Sequence, residues 1–575
     1  MQNLKPIQLA GVLLVCAAAL FAQTGNETNA RHLATLANTF RDQLRQERKY
    51  AETFVLTKKW ESKGVLSEHG LFEIQRIWQG TPLYYVTHNL NAARTVSADQ
   101  LWPGGRTDLE LDGAGISIAL WDGAGVLTSH QEFGGRAQQI DKPSSLGYHA
   151  THIAGTLIAQ GLNSNAKGMA PQALLQVFDW NSDLAEMADA AADGLLISTH
   201  SYGYLAGWVY NYKNDGKWAW LGSPEIAASE DYLFGFYTDG CRQWDQVALA
   251  APYYLIVVAA GNDRDDYGPV AGDSYWVRDQ VSWSLSQIYR NPDGNFDCIA
   301  GPAVCKNVLT VGAIYDLSNG YTQPGDVEMA SFSGWGPTDD GRLKPDLVAN
   351  GIDVYSTSSL GASQYGLLSG TSMAAPNAAG ALALLQQLYH RNTGQFLRAE
   401  ALKAIAIHTA DEAGPNPGPD YGHGWGVLNA AHAAQLIESI QTQPDHLIAA
   451  TLYQGERFQR LLQSDGRSPI KATIVWTDPA GTVPLKSLDP PSPMLVNDLD
   501  VRLSRQTDGL LYYPWSLDRV NPSQAAVQTD NRIDNVEQIQ ITAPAAGLYT
   551  LTVSHKGTLQ NEQQAFALVD RKSVV

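Results

Sequence analysis

Ser372 stands in Ser369-Gly370-Thr371-Ser372-Met373-Ala374-Ala375-Pro376, between a glycine turn and an apolar run over 378–385 that reads as a helix buried all round. At the first turn of such a helix, unpaired N–H groups and the positive end of the dipole favour a developing negative charge. Pro376 is expected in that same turn, where a missing N–H has no partner to lose. Cleaving an amide at neutral pH takes a nucleophile, a base that accepts its proton and returns it to the leaving amine, a group that orients the base, and donors for the tetrahedral oxyanion. The chain has a candidate for each. Ser372 is the nucleophile. His149, in Tyr148-His149-Ala150-Thr151-His152-Ile153-Ala154-Gly155-Thr156, opens a helix and is the base. Asp122 follows the apolar run 116–121 and can be buried and aimed at an imidazole, while Asn262, in Ala259-Ala260-Gly261-Asn262, has an N–H₂ that does not titrate.

These residues need elements that gather them. From 116 onward, apolar stretches at 116–121, 174–178, 195–201, 254–259 and 308–313 alternate with helical patterns at 184–192 and 246–251. Continuously apolar strands separated by helices predict a parallel sheet covered on both faces. Ligands in such sheets bind beyond the carboxyl ends of the strands, and Asp122, Ser201 and Gly261-Asn262 all fall at those ends. Alone, each reads as a turn aspartate, a helix cap or a Gly-Asn turn.

In chain order they run Asp, His, Asn, Ser. Asp before His before Ser on an α/β fold is the order of the subtilisin variant of the triad, and the stretch from about 110 to 440 resembles a subtilisin-like serine peptidase of the subtilase family. His149-Ala150-Thr151-His152-Ile153-Ala154-Gly155-Thr156 and Gly370-Thr371-Ser372-Met373-Ala374-Ala375-Pro376 resemble the family's histidine and serine blocks. Ser331-Phe332-Ser333-Gly334-Trp335-Gly336-Pro337 and Lys344-Pro345-Asp346 resemble those between. The resemblance implies that Asp122 orients, His149 is general base and acid, Ser372 attacks, the Asn262 side chain and the Ser372 N–H hold the oxyanion, and His152 is structural. It also implies that Ser201, Tyr202 and Gly203 pair with the substrate backbone as an added strand, with Ala260 and Gly261 also in the substrate site. It implies no cofactor for catalysis. Gly123-Ala124-Gly125 after Asp122, Ala150 after His149 and Asn377 after Pro376 depart from the family pattern.

At 575 residues, 44% hydrophobic and 17% charged, the chain has room for two folded domains plus processing segments. A net charge of -19 argues against a nucleic-acid partner. Lys5 and the apolar run 9–22 read as a secretory signal peptide, too short to span a membrane, and Cys16 fits lipid attachment poorly. The expected layout is a signal peptide over 1–22, a prosegment over 23–93 with a charged helix near 29–60 and strands near 71–78 and 82–87, a catalytic domain over 94–443, and an all-β sandwich over 444–575. Helices are expected at 399–410 and 427–440, and the exported product is extracellular, cell-surface or periplasmic.

Of Cys241, Cys298 and Cys305, the last two flank a short loop that a local disulfide could close. The aromatics of 204–245 line a substrate groove or pack an insertion against the rim. Structural Ca²⁺ is implied by the resemblance; Asn497-Asp498-Leu499-Asp500 and the stretch 530–537 have suitable oxygen ligands, or else are turn and edge-strand carboxylates. The functional expectation is an exported endopeptidase acting on proteins or peptides, with its prosegment as inhibitor. The alternative is a catalytically silent surface binding protein on the same fold.

Overall fold

The computed structural model describes residues 28–58, 63–66, 70–78, 81–87, 93–278 and 282–572. The expected signal peptide, Cys16 and residues 88–92 of the expected processing stretch lie outside the described residues.

The N-terminal layer is the helix α1 (Ala30–Lys58) and strands β1 (Lys63–Leu66), β2 (Gly70–Trp78) and β3 (Thr81–Thr87), paired antiparallel in sequence order. The central sheet is built from β4 (Ser117–Asp122), β5 (Ala137–Gln139), β6 (Leu174–Asp179) and β7 (Ile197–His200). After the short edge strand β8 (Tyr202–Tyr204), it is completed by β9 (Leu255–Ala259), β10 (Leu309–Ile314) and β11 (Leu347–Asn350). All seven strands of this sheet are parallel, in the order β11-β10-β9-β7-β4-β6-β5. From β4 the chain winds first to one side and then to the other. The crevice beyond the ends of β4 and β7 is therefore the switch point at which such sheets bind ligands. Residues of β7, β9, β10 and β11 are all buried, which matches their unbroken apolar runs.

Helices cover the sheet: α2 (Tyr148–Ile158), α3 (Asp183–Ala192), α4 (Asp239–Ala250), α5 (Thr371–Thr393), α6 (Ala399–His408) and α7 (Ala430–Ile440). α5 is buried over Thr371 to Gln386 because it runs against β7, β9, β10 and β11 with small residues at its contacts. α1 lies across α3 and α4, and its Leu33, Ala37 and Phe40 enter the same buried cluster as Leu184, Ala188 and Trp244. Burying Leu33 and Phe40 stabilises this docking by about 1.5–3 kcal/mol each.

The aromatic excursion is a packed insertion. Trp208–Tyr210, Trp218–Trp220, Tyr275–Arg278 and Trp283–Ser286 form a four-stranded sheet, and Trp208, Trp220, Tyr232, Phe234, Phe236, Tyr237 and Trp244 are buried. Beyond residue 446, two four-stranded antiparallel sheets enclose one cluster that includes Ile474, Trp476, Leu503, Leu551 and Phe566. Strands Leu447–Tyr453 and Phe458–Ser464, not anticipated from sequence, belong to these sheets; the first is apolar at all but Thr451 without a period-2 alternation, and the second interrupts its apolar residues with Gln459, Arg460 and Gln463.

Cys241, Cys298 and Cys305 are all free and buried, so the local disulfide is not formed. The Cys298 sulfur lies against the backbone of Trp335, whereas Cys305 interacts with Cys241 on α4. The loop between Cys298 and Cys305 turns their side chains to different neighbours.

Candidate active site

Asp122 ends β4 fully within the fold, 1% exposed, and accepts a hydrogen bond from Gly123 N at 2.6 Å. His149 is the second residue of α2. Its Nδ1 lies 2.7 Å from Asp122 Oδ2 and 2.9 Å from Oδ1. A carboxylate facing Nδ1 keeps the proton there and leaves Nε2 as the basic nitrogen. The Gly123-Ala124-Gly125 departure has a steric reason: Ala124 is buried beside Gly147, the residue capping α2, and Gly147 N donates to Gly125 O at 2.7 Å.

In the parallel register Trp121 stands opposite His200, which makes Asp122 and Ser201 the next pair outward on β4 and β7. Ser201 in turn touches the start of α5. Its Oγ donates to Ser372 O at 2.8 Å, and Ser372 Oγ donates to Ser201 O at 3.0 Å. Gly370 caps α5 at φ 152 and ψ 168, backbone that glycine adopts most readily, and turns the chain directly from strand to helix. Pro376 is not in the first turn. It is the sixth residue of a helix that begins at Thr371, so an interior N–H is missing. The carbonyl deprived of that donor is Ser372 O, four residues earlier, and this is the oxygen that Ser201 Oγ occupies.

Asn262 follows β9 on the same rim. Its Oδ1 accepts from Thr371 N at 3.0 Å and Thr371 Oγ1 at 2.9 Å, while its Nδ2 has no partner among the described residues. The amide is thus held by its oxygen, next to the residue preceding Ser372, with both N–H bonds available. Thr371 is the residue that sequence reasoning missed; its place beside Ser372 in Gly370-Thr371-Ser372 was visible, but not its partner across the rim. Gly261 is engaged within the fold, its N on Thr371 Oγ1 at 3.1 Å and its O on Gly334 N at 3.0 Å, and Ala260 N donates to Val311 O at 3.0 Å.

His152, one turn after His149, is buried. Its Nε2 faces the carbonyls of Val354 at 3.0 Å and Gly366 at 3.1 Å, and burial lowers its pKa to about 3. It stays neutral and ties α2 to the strands at 354–357 and 365–368.

β8 carries Tyr202 and Gly203, and its edge is occupied. β3 pairs with it antiparallel, Thr87 opposite Tyr202, Val86 opposite Gly203 and Tyr85 opposite Tyr204. In the two stretches considered for calcium, Asp534 accepts from Leu343 N at 2.8 Å and Asn531 Nδ2 at 2.9 Å, and Glu537 from Val501 N at 2.6 Å, while three other carboxylates lie beside protein cations. Asp498 and Asp500 lie 3.2 and 2.7 Å from Lys556 Nζ, and Asp530 pairs with Lys556 at 3.2 Å and with Arg502.

The Subtilase family model, Peptidase S8, matches residues 115–426, more than half of the chain. The chain is 29% identical over 507 residues to the serine protease/ABC transporter B family protein tagA of Dictyostelium discoideum, covering 73% of this chain and 27% of that protein. It is 27% identical over 307 residues to the serine protease AprX of Bacillus subtilis, covering 49% of this chain and 59% of that one. It thus spans about a quarter and about three fifths of the lengths of these relatives. Among solved structures, that of the prenylagaramide maturation protease PagA is 21% identical, covering 56% of this chain and 93% of that one with a TM-score of 0.38. With the family match extending from just before β4 to beyond α6 and enclosing Asp122, His149, Asn262 and Ser372, the chain belongs to the subtilase family.

Proposed function

We propose that this chain is an exported serine endopeptidase that cleaves proteins or peptides through an acyl-enzyme on Ser372. The observation that carries the reading is the buried Asp122 carboxylate against His149 Nδ1 at 2.7 Å, on the rim where Ser372 opens α5. In this mechanism His149 Nε2 takes the proton of Ser372 Oγ as that oxygen leaves Ser201 O and attacks the scissile carbonyl. The imidazolium that forms is stabilised by Asp122. The tetrahedral oxyanion takes hydrogen bonds from Asn262 Nδ2 and Ser372 N. His149 then protonates the leaving amine, and a water repeats the sequence to release the acyl group.

The edge of β8 receives the substrate as an added strand, with Ala260 and Gly261 forming the opposite wall. β3 already lies on that edge, which supports reading the N-terminal layer as an inhibitory prosegment. The expected signal peptide supports export, and among the described residues no helix is long and apolar enough to cross a membrane.

A fluorophosphonate probe is expected to label the processed protein at Ser372, and Ser372→Ala to lose about a million-fold in turnover of a mixed peptide library. Turnover unchanged in Ser372→Ala overturns the assignment.

A further inference from the structure

β7 lies between β4 and β9, but the chain leaves the central sheet at Ser201, and among the described residues β3 is the only strand paired with β8. Once the proposed prosegment is removed, that partner is gone, and side chains must keep the edge formed. Ser198, His200 and Tyr202 alternate with Thr199, Ser201 and Gly203, so their side chains share the face under α3 and α4, whereas Ser201 turns to Ser372 on the other. Tyr254 Oη donates to Ser198 Oγ at 2.6 Å, Ser198 Oγ lies 2.8 Å from His200 Nε2, His200 Nδ1 lies 2.9 Å from Tyr202 Oη, and Tyr202 Oη donates to Asp183 Oδ2 at 3.1 Å. The donations run one way. Because Tyr202 gives its hydrogen to Asp183, it accepts from His200 Nδ1–H; Nε2 then accepts from Ser198, whose oxygen accepts from Tyr254. All five residues are buried, and burial drives the pKa of His200 well below its ordinary value, so the ring carries one proton. His200 also stacks on Trp121 at 5.1 Å and meets Trp244 edge-on at 4.7 Å. A hydrocarbon ring would fill that slot without burying polar groups, so packing alone does not account for the chain.

We propose that Asp183 and His200 are positioning residues that anchor the Tyr202 side chain and thereby hold β8 in place for the substrate backbone. The inference rests on the reading of β8 as the substrate edge and adds what keeps that edge formed. Tyr202 stands opposite Thr87 in the strand ladder, while its ring packs against Trp180 and its hydroxyl ends on Asp183, the first residue of α3. Asp183 is itself fixed, its Oδ1 accepting from Leu184 N at 2.7 Å. An edge ordered before binding spares the substrate the cost of ordering it. A substrate that reaches along β8 gains from this; one that ends beside Ser372 does not.

Parent and variants are expressed as the full chain, and the active material each yields is assayed on two substrates: a peptide long enough to pair with Tyr202–Tyr204, and a single acylated residue on the same leaving group. Labelling by a fluorophosphonate counts the competent Ser372 in each preparation. Tyr202→Phe, which keeps the ring and removes the hydroxyl, is expected to raise KM for the long peptide about tenfold with kcat within about twofold, and to move KM for the short substrate less than about threefold. His200→Gln, which reaches Ser198 but leaves Tyr202 without its donor, should behave the same. His200→Asn, whose amide can still donate to Tyr202 Oη, should keep KM for the long peptide within about threefold of the parent. A merely structural role would lower Tm in both His200 variants without separating the two substrates. An unchanged KM for the long peptide in Tyr202→Phe, equal losses on both substrates, or His200→Asn no better than His200→Gln would overturn the positioning role. Where the His200 variants yield no labelled protein, Tyr202→Phe decides it. A parent that neither labels nor cleaves either substrate overturns instead the peptidase reading on which the role rests.

Discussion

Thr371 fixes the orientation of the Asn262 side chain from the position next to Ser372. Its N and Oγ1 hold Asn262 Oδ1 at 3.0 and 2.9 Å, which directs the Asn262 N–H₂ away from the backbone that would otherwise compete for it. A donor aimed in advance stabilises an oxyanion without reorganising during the reaction. Asn262→Ala should therefore lose about 10²- to 10³-fold in kcat. Thr371→Val keeps shape and the backbone bond but deletes the hydroxyl, a loss of about 1 kcal/mol, or five- to tenfold in kcat with KM unchanged. Steady-state kinetics on one peptide substrate separates the two effects, and a change confined to KM would show that Thr371 does not position the amide. The placing of Asp122, His149, Asn262 and Ser372 at strand ends and helix starts was legible from the apolar runs beside them, and their order Asp, His, Asn, Ser from the sequence itself. The role of Thr371 was not, since it depends on a partner 109 residues away. Nor was the anchoring of Tyr202 by Asp183, since α3 and β8 meet only in the completed fold.

At the scale of elements, the pairing of β3 with β8 decides whether the N-terminal layer blocks the site. Residues 85–87 run antiparallel to Tyr202–Tyr204 in continuous register, as a bound peptide would on an exposed edge. α1 and strands β2 and β3 were readable from their apolar spacing, whereas β1, four residues long and containing Gly64, offers too little pattern. The pairing of β3 with a strand more than a hundred residues later could not be read from either segment. Residues 24–90, added as a separate chain to processed protein, should inhibit peptide hydrolysis. Val86→Pro in that chain, opposite Gly203, removes a ladder N–H and should raise Ki about tenfold. Absence of inhibition at any concentration, with 24–90 still attached in active material, would assign the layer to the mature fold.

Across the whole molecule, the C-terminal sheets are locked to the central domain by buried polar contacts as well as by apolar packing. Val475, Val536, Ala567 and Val569 join the core cluster that contains α6, and His408 Nδ1 meets Thr473 Oγ1 at 3.0 Å. Beside them Lys306 Nζ, fully buried, contacts the equally buried Asp478, the carbonyl of Pro479, and Met494 O at 2.8 Å. Its neighbour Asn307 exchanges hydrogen bonds with the Asp478 backbone at 2.8 and 2.9 Å. Asp478 also accepts from Val496 N at 2.9 Å and Asn497 N at 2.8 Å, so one carboxylate organises both ends of the segment that joins the strands Ile470–Val475 and Leu499–Arg505. Removing one member of a buried ion pair strands the other charge in low dielectric, at a cost of about 3–5 kcal/mol. Lys306→Met, studied in the Ser372→Ala chain, is therefore expected to lose about that much stability in denaturant melts. Lys306→Met with Asp478→Asn should recover part of it, because the stranded charge is gone while an amide oxygen can still accept from the backbone. Because the pair bridges the two halves, its loss should also split a single calorimetric transition into two, with the C-terminal sheets unfolding first. If the single and double variants are equally destabilised and the transition stays single, apolar packing against α6 alone couples the halves and the ion pair is incidental to it.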